Sequence, residues 1–407
     1  MLASIAEGES VIENYLSGED CMRTVTAFKR MGVMIRAAKN TLAIKGVGLN
    51  GLEAPAKAID AGNSGTTVRL MSGILAAQGF STEIFGDESL SKRPMKRIIT
   101  PLELMGAKFT ARDGNYLPMT IQGNPGLKPI HYDSPVASAQ IKSSVLFAGL
   151  FAKGETSFTE PVKSRDHTER MLKAFGADVK VDMNKVTVRG PSKLKAHSIR
   201  VPGDISSAAF ALVAACFASE KEICLKNVCI NPTRSGIIEI LNQMSAQLRI
   251  ANIREASGEP VADLFVKRSH FRKVLISSVI IPRLIDELPI IALAATQAEG
   301  TTVISGAKEL RVKESDRIKS VTDALKKMGA NVTEKEDGMV IVGQTKLRGA
   351  EIDSLGDHRL AMMAAVAGLI AEGGVTVTNV ECVETSYPGF VDDMKKIGAN
   401  IEVSGKS

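Results

Sequence analysis

One short phrase recurs six times in this 407-residue chain, and it constrains the fold more than any other feature. Each copy ends a helical stretch on an apolar residue, passes through glycine or a stand-in, and enters an apolar strand. The copies are Phe28-Lys29-Arg30-Met31-Gly32-Val33, Leu102-Glu103-Leu104-Met105-Gly106-Ala107, Leu172-Lys173-Ala174-Phe175-Gly176-Ala177, Leu241-Asn242-Gln243-Met244-Ser245-Ala246, Leu325-Lys326-Lys327-Met328-Gly329-Ala330 and Met394-Lys395-Lys396-Ile397-Gly398-Ala399. A glycine after an amphipathic helix supplies the left-handed residue that closes the last turn. The copies lie roughly 70 residues apart, with one longer step between the fourth and fifth, too long for a solenoid period of about 20–50 residues. A small α/β subdomain used three times in each of two lobes fits this spacing.

The seam between the lobes is expected near residues 201–204, giving an N-terminal lobe over 1–202 and a C-terminal lobe over 203–407. There Pro202-Gly203 punctuates the chain after an apolar strand, and Asp204 or Ser206 can cap the following helix. Placed between the third and fourth copies, this turn reads as a hinge. The fourth copy opens with Val201-Pro202-Gly203-Asp204 ahead of its helix, whereas the first begins at Leu2-Ala3-Ser4-Ile5-Ala6, already inside the matching helix. The chain therefore reads as lacking its first segment.

Composition narrows the function classes. With 44% hydrophobic and 24% charged residues, the chain is an ordinary globular protein. No run of about 18 apolar residues is present, so no membrane span is expected, and the first residues show no secretion leader. The cysteines Cys21, Cys216, Cys224, Cys229 and Cys382 are odd in number and scattered, which suits free thiols in a reducing cytosol. Net charge is +6 without long basic runs, and there are no Trp and four Tyr. Nucleic acid is a poor partner for such a surface; a small anionic ligand accounts for the excess equally well.

Cations gather where loops enter helices. Arg311-Val312-Lys313-Glu314-Ser315-Asp316-Arg317 leads into one helix, and Lys92, Arg93, Lys96 and Arg97 precede another. Lys163 and Arg165 stand before a third, and Asp357-His358-Arg359 before a fourth. A helix N-terminus favours anions, so cations beside one can complete an anion site; a solvated charge run reads the same when met singly. Four arginines at equivalent places point to convergence. His167 and His358 lack a second ligand at usable spacing, so no metal is expected. Asn63-Ser64-Gly65-Thr66-Thr67 opens a helix either as an ordinary cap or with N–H groups facing an anion. Gly46-Val47-Gly48-Leu49-Asn50-Gly51 matches a dinucleotide pattern but opens no helix, so it reads as a turn. Ser138, Gln140 and Lys142 start a mostly apolar helix whose polar side chains either cap it or hydrogen-bond a polyol. Asp286 and Glu287 lie in an apolar run, where a carboxylate is costly without a role or partner; a general base or a buried ion pair would explain them.

Taken together, the motifs Asn63-Ser64-Gly65-Thr66-Thr67, Lys92-Arg93-Pro94-Met95, Ser138-Ala139-Gln140-Ile141-Lys142, Ser164-Arg165-Asp166-His167-Thr168-Glu169, Val201-Pro202-Gly203-Asp204, Asn231-Pro232-Thr233-Arg234, Ile285-Asp286-Glu287, Arg311 to Arg317 and Asp357-His358-Arg359 resemble, in order, the 5-enolpyruvylshikimate-3-phosphate synthase family. The resemblance implies the enolpyruvyl transferase fold: an α/β, two-lobed inside-out barrel with three βαβαββ repeats per lobe, closing on substrate. It implies transfer of the enolpyruvyl group of phosphoenolpyruvate to the 5-hydroxyl of shikimate 3-phosphate, on the shikimate pathway to aromatic amino acids. It also implies no metal or organic cofactor, and a cytoplasmic monomer. By motif, Gly65, Arg93, Gln140, Arg317 and Arg359 would bind phosphoenolpyruvate. Ser138, Ala139, Gln140, Ser164, Arg165, Asp286 and Lys313 would bind shikimate 3-phosphate. Asp286 would take the hydroxyl proton, and Glu314 would exchange a proton with the methylene carbon. Room beside Gly65 implies sensitivity to glyphosate.

Two departures accompany the resemblance. The family's opening Lys-, Ser- and Arg-bearing segment is expected to be missing, which makes a truncated, non-catalytic anion-binding remnant the alternative. Near the C-terminus, Thr385 precedes Ser386-Tyr387-Pro388 where some members carry lysine. A second alternative, UDP-N-acetylglucosamine enolpyruvyl transferase, usually carries a reactive cysteine before the Arg93-Pro94 position. Here the loop Gly86-Asp87-Glu88-Ser89-Leu90-Ser91-Lys92 has none.

Overall fold

The computed structural model describes residues 1–218 and 221–405. By internal contacts the chain divides into two compact units, one of Met1–Val201 with Ala256–Glu259, the other of Pro202–Glu255 with Pro260–Ser407.

In the first unit the repeat is plain. Short strand Ile59–Asp60 runs parallel to Ser81–Phe85, which pairs antiparallel with Tyr116–Gln122 and, beyond it, Lys108–Arg112. Helices Gly65–Leu75 and Lys96–Leu104 make the connections. The next copy repeats this order with strands His131–Asp133, Gly154–Thr159, Lys185–Gly190 and Val179–Asp182 and helices Ala139–Gly149 and His167–Ala174. The third sheet joins both ends of the unit: Ile199–Arg200 lies parallel to Glu7–Glu13, followed by Thr41–Val47 and Met34–Ala38. Here the expectation of a helix under way at Leu2 holds for one 3₁₀ turn, Leu2–Ser4, before the chain enters the sheet at Glu7.

The second unit follows the same plan. Leu275–Ile276, Thr301–Ile304, Gly338–Val342 and Asn331–Lys335 form one four-stranded sheet, connected by helices Leu288–Thr296 and Arg317–Lys327. In another, Ile223–Cys229, Glu259–Lys267 and Gln247–Ala256 form three strands, with a single bridge from Gly203 to Val228 where the short strand would lie. The last pairs Arg348–Asp353 with Glu372–Thr378. Among the described residues no strand follows Gly398, although the sequence pattern anticipates one.

The helices fall into two kinds for a simple reason. The inner helices are largely apolar and therefore sink into the core: every residue of Leu288–Thr296 is buried, as are most of Ile205–Ala218 and His358–Ala367. Each buried Leu or Ile side chain contributes about 1.5–3 kcal/mol. The others, such as Glu19–Arg30 and Arg317–Lys327, bury one face only. In the first unit the inner helices Gly65–Leu75 and Ala139–Gly149 touch backbone to backbone. A Cβ on Gly73 would lie 2.0 Å from the Ser144 carbonyl oxygen, so only glycine permits this approach.

All six recurrent phrases close their helices through a left-handed residue: Gly32 (φ +86°), Gly106 (+103°), Gly176 (+86°), Ser245 (+67°), Gly329 (+88°) and Gly398 (+94°). The hydrogen bonds are those of a Schellman cap. Gly329 N donates to Lys326 O at 2.8 Å and Ala330 N to Leu325 O at 2.9 Å; Ser245 N and Ala246 N do the same to Asn242 O and Leu241 O. A side chain in this conformation costs about 1–2 kcal/mol. Gly329→Ala, whose Cβ would meet no neighbour within 4 Å, is therefore expected to lose about 1 kcal/mol through backbone strain alone. Ser245→Gly is expected to gain somewhat less, because glycine also frees the unfolded chain. Paired urea titrations read both; shifts of the same sign would refute the assignment.

Candidate active site

In the first unit the predicted residues gather around two neighbouring helix starts. Ser64 caps helix Gly65–Leu75, its hydroxyl accepting from Thr67 N at 3.3 Å, so the cap reading of this phrase is the observed one. Gly65 follows, buried. A Cβ there would lie 3.6 Å from Arg93 Nη1 and 3.8 Å from Arg69 Nη1, so two guanidinium groups flank the glycine. Arg93 Nη2 donates to Asn63 Oδ1 at 2.9 Å.

Ser138 caps the second inner helix, weakly, accepting from Ile141 N at 3.5 Å, and Ala139 is the first helical residue. Gln140 spans the gap between the helices. Its Oε1 accepts from Arg69 Nη1 at 2.6 Å and its Nε2 donates to Thr66 Oγ1 at 3.1 Å. The close approach at Gly73 puts these groups within reach. Ser164 is buried, and its hydroxyl has no hydrogen-bond partner among the described residues. A buried hydroxyl left so is costly, and a ligand oxygen would relieve it. Half-buried Arg165 follows Ser164 in the loop before helix His167–Ala174.

In the second unit the predicted acids and cations meet on Arg317, the first residue of helix Arg317–Lys327 and 2% exposed. Its Nε donates to Asp357 Oδ2 at 2.8 Å and its Nη2 to Asp357 Oδ1 at 3.2 Å and Glu314 Oε2 at 2.7 Å. Nη1 lies 3.4 Å from Asp286 Oδ1, and Lys313 Nζ 3.7 Å from the same oxygen. Burial works against the charge of Arg317, but Asp357, Glu314 and Asp286 outweigh it and hold its pKa above the ordinary value. Asp286 stands in a 3₁₀ turn, Ile285–Glu287, directly before buried helix Leu288–Thr296.

The cations at helix starts, odd against the macrodipole, are explained here. Asp316 and Asp357 occupy the caps, accepting from Lys319 N at 3.1 Å and Arg359 N at 2.9 Å, so Arg317 faces a carboxylate, that of Asp357, already at a positive helix end. Arg359 differs from Arg317. It is 7% exposed, donates from Nη1 to the Ser206 carbonyl at 3.1 Å, and its Nε has no hydrogen-bond partner among the described residues. A buried guanidinium so sparsely paired is suited to an anion.

Three residues were not singled out individually by the sequence reading. Arg69 lies one turn beyond Gly65 and holds Gln140; the i, i+4 spacing is the signal. Asp357 joins a helix cap to Arg317; an Asp before an apolar helix is its signal. Arg234 pairs with Asp204 at 2.6 Å and donates to Ser206 Oγ at 3.1 Å, bracing the helix start whose carbonyl holds Arg359. Nothing local in the sequence marks that last contact. Among the described residues no group of three or more His, Cys, Asp or Glu is placed to hold a metal ion, and no helix is long and apolar enough to cross a membrane.

A protein-family model, EPSP synthase (3-phosphoshikimate 1-carboxyvinyltransferase), matches residues 1–394. The chain belongs to the EPSP synthase family. Curated 3-phosphoshikimate 1-carboxyvinyltransferases agree: that of Endomicrobium trichonymphae is 52% identical over 402 residues, covering 98% of this chain and 93% of its own length. That of Geobacillus kaustophilus is 52% identical over 400 residues with the same coverage. A solved EPSP synthase from Acinetobacter baumannii superposes with a TM-score of 0.90 at 49% identity, covering 100% of this chain and 93% of that one. The fold is thus the enolpyruvyl transferase fold that the motifs implied. The comparisons do not bear out the expectation of a missing opening segment.

Proposed function

We propose that this chain transfers the enolpyruvyl group of phosphoenolpyruvate to the 5-hydroxyl of shikimate 3-phosphate, releasing phosphate, as a monomer in the cytoplasm. The observation that carries the reading is the placement of two carboxylates, Asp286 and Glu314, on one buried guanidinium, Arg317. Addition followed by elimination needs two proton-handling groups in a fixed relation, and this arrangement supplies them. Asp286 takes the proton of the attacking hydroxyl as its oxygen bonds to C2 of phosphoenolpyruvate. Glu314 delivers a proton to the methylene carbon, making it a methyl group. Glu314 then takes a methyl proton back as the C–O bond to phosphate breaks, and Asp286 passes its proton to the departing phosphate, leaving the enol ether and both acids as they began.

In the first unit, Gly65, Arg93 and Gln140 serve phosphoenolpyruvate, while Ser138, Ala139, Gln140, Ser164 and Arg165 serve shikimate 3-phosphate. In the second, Arg359 and Arg317 take the anionic groups of phosphoenolpyruvate, a task suited to the planar guanidinium, and Lys313 and Asp286 contact shikimate 3-phosphate. Five cysteines, all free, suit a reducing compartment.

The test is phosphate release by the purified chain. Release is expected only when phosphoenolpyruvate and shikimate 3-phosphate are both present, and it is expected to slow on titration with glyphosate. Release with UDP-N-acetylglucosamine in place of shikimate 3-phosphate would overturn the acceptor assignment. Binding of shikimate 3-phosphate without any turnover would point to the non-catalytic alternative. Light scattering at one protomer mass is the expected result for the assembly state.

A further inference from the structure

Beneath the segments assigned to shikimate 3-phosphate lies a group of charges that the proposed chemistry does not use. Lys142, in the first turn of helix Ala139–Gly149, is completely buried. Its Nζ stands 2.9 Å from Glu160 Oε1 and 2.8 Å from Glu169 Oε1, and both carboxylates are buried as well. Glu160 Oε1 also accepts from the backbone N of Ser164 at 2.8 Å. Beside them Ser143 Oγ shares a 2.6 Å hydrogen bond with Thr168 Oγ1. One amine thus faces two carboxylates, and burial pushes the Glu169 pKa up against the pull of Lys142.

Such a cluster is a poor way to stabilise a core. Apolar side chains of similar volume usually match or exceed a buried ion pair. What it does supply is a fixed geometry between two loops. Lys142 follows Ser138, Ala139 and Gln140 on one helix; Glu160 grips Ser164, whose own hydroxyl is buried without a hydrogen-bond partner among the described residues, and Arg165 comes next.

We propose that Lys142 and Glu160 are positioning residues for the phosphorylated substrate, locking the Ser164–Arg165 loop to the start of helix Ala139–Gly149 so that both present their polar groups together. The inference rests on the assignment of shikimate 3-phosphate to these segments. The test compares the full-length chain with Lys142→Met, Glu160→Leu and Glu160→Gln, reading kcat, both KM values, thermal midpoint and calorimetric binding of shikimate 3-phosphate. Lys142→Met and Glu160→Leu are expected to raise KM for shikimate 3-phosphate at least tenfold while KM for phosphoenolpyruvate changes less than threefold. Glu160→Gln keeps an acceptor for Ser164 N and is expected to recover most of the loss. A purely structural role would lower the midpoint and move both KM values together, or neither, and would overturn the proposal. So would Glu160→Gln behaving like Glu160→Leu. If Lys142→Met does not fold, the two Glu160 variants decide alone. Failure of the underlying reading shows separately, as an unmutated chain that neither turns over nor binds shikimate 3-phosphate.

Discussion

Asp286→Asn is expected to lower kcat by about 10²–10⁴-fold while leaving the unfolding midpoint nearly unchanged. The amide keeps the shape of the side chain and an oxygen toward Arg317 and Lys313, 3.4 and 3.7 Å away, but it cannot accept the hydroxyl proton. Arg317 retains Asp357 and Glu314, so no buried charge is stranded. The part-exposed position of Asp286 also limits its contribution to stability. Steady-state kinetics at saturating substrates, paired with a thermal melt, separate the two effects. A kcat within threefold of the unmutated chain would remove Asp286 as the base.

Asp357→Ala is expected to have the largest effect on stability, about 2–5 kcal/mol, because it removes two hydrogen bonds from buried Arg317, which keeps Glu314 and Asp286, and uncaps helix His358–Ala367 together. Asp357→Asn keeps the cap and one acceptor and is expected to cost less. Loss below 1 kcal/mol for the alanine variant in urea titration would contradict this. The same locus sets a pH dependence. Burial alone would raise the Asp357 pKa, but Arg317, by charge and hydrogen bond, brings it down to about 2. Its contribution, about 2 kcal/mol, is complete above the unfolded value near 3.8 and is lost as pH falls toward 2. His358 is pushed down to about 4 by burial, Arg359 and Arg317. Between pH 6.5 and 4 the unfolded chain therefore binds more protons at this site, and stability falls as pH falls. His358→Gln is expected to flatten the slope over that window.

The repeat architecture is legible in the sequence because its marker is a local requirement. A helix closed by a left-handed residue needs glycine or a tolerant substitute, and all six positions, Ser245 included, adopt that conformation. The inner helices are legible for a similar reason: an apolar run without a polar face has to be enclosed. The charged groups follow different rules. Arg317 reads from its motif as a ligand-binding arginine, yet its donors meet Asp357, Glu314 and Asp286, because charges brought together from separate loops must balance in three dimensions. Gln140 reads as a substrate contact but is also tied to Arg69 and Thr66, an arrangement set by the helix approach at Gly73. Arg234 and Asp204 lie thirty residues apart and pair because helix Ile205–Ala218 and strand Ile223–Cys229 bring the chain back to the helix start. No periodicity records such contacts.

Isotope exchange probes the chemistry at its centre. Phosphoenolpyruvate and shikimate 3-phosphate are incubated with the chain in D2O, and the vinyl methylene of the product is read by mass spectrometry. Passage through a methyl group is expected to leave deuterium there, and Glu314→Gln to abolish turnover and exchange together. Phosphate release with product free of deuterium would contradict protonation of the methylene carbon, and with it the roles given to both acids.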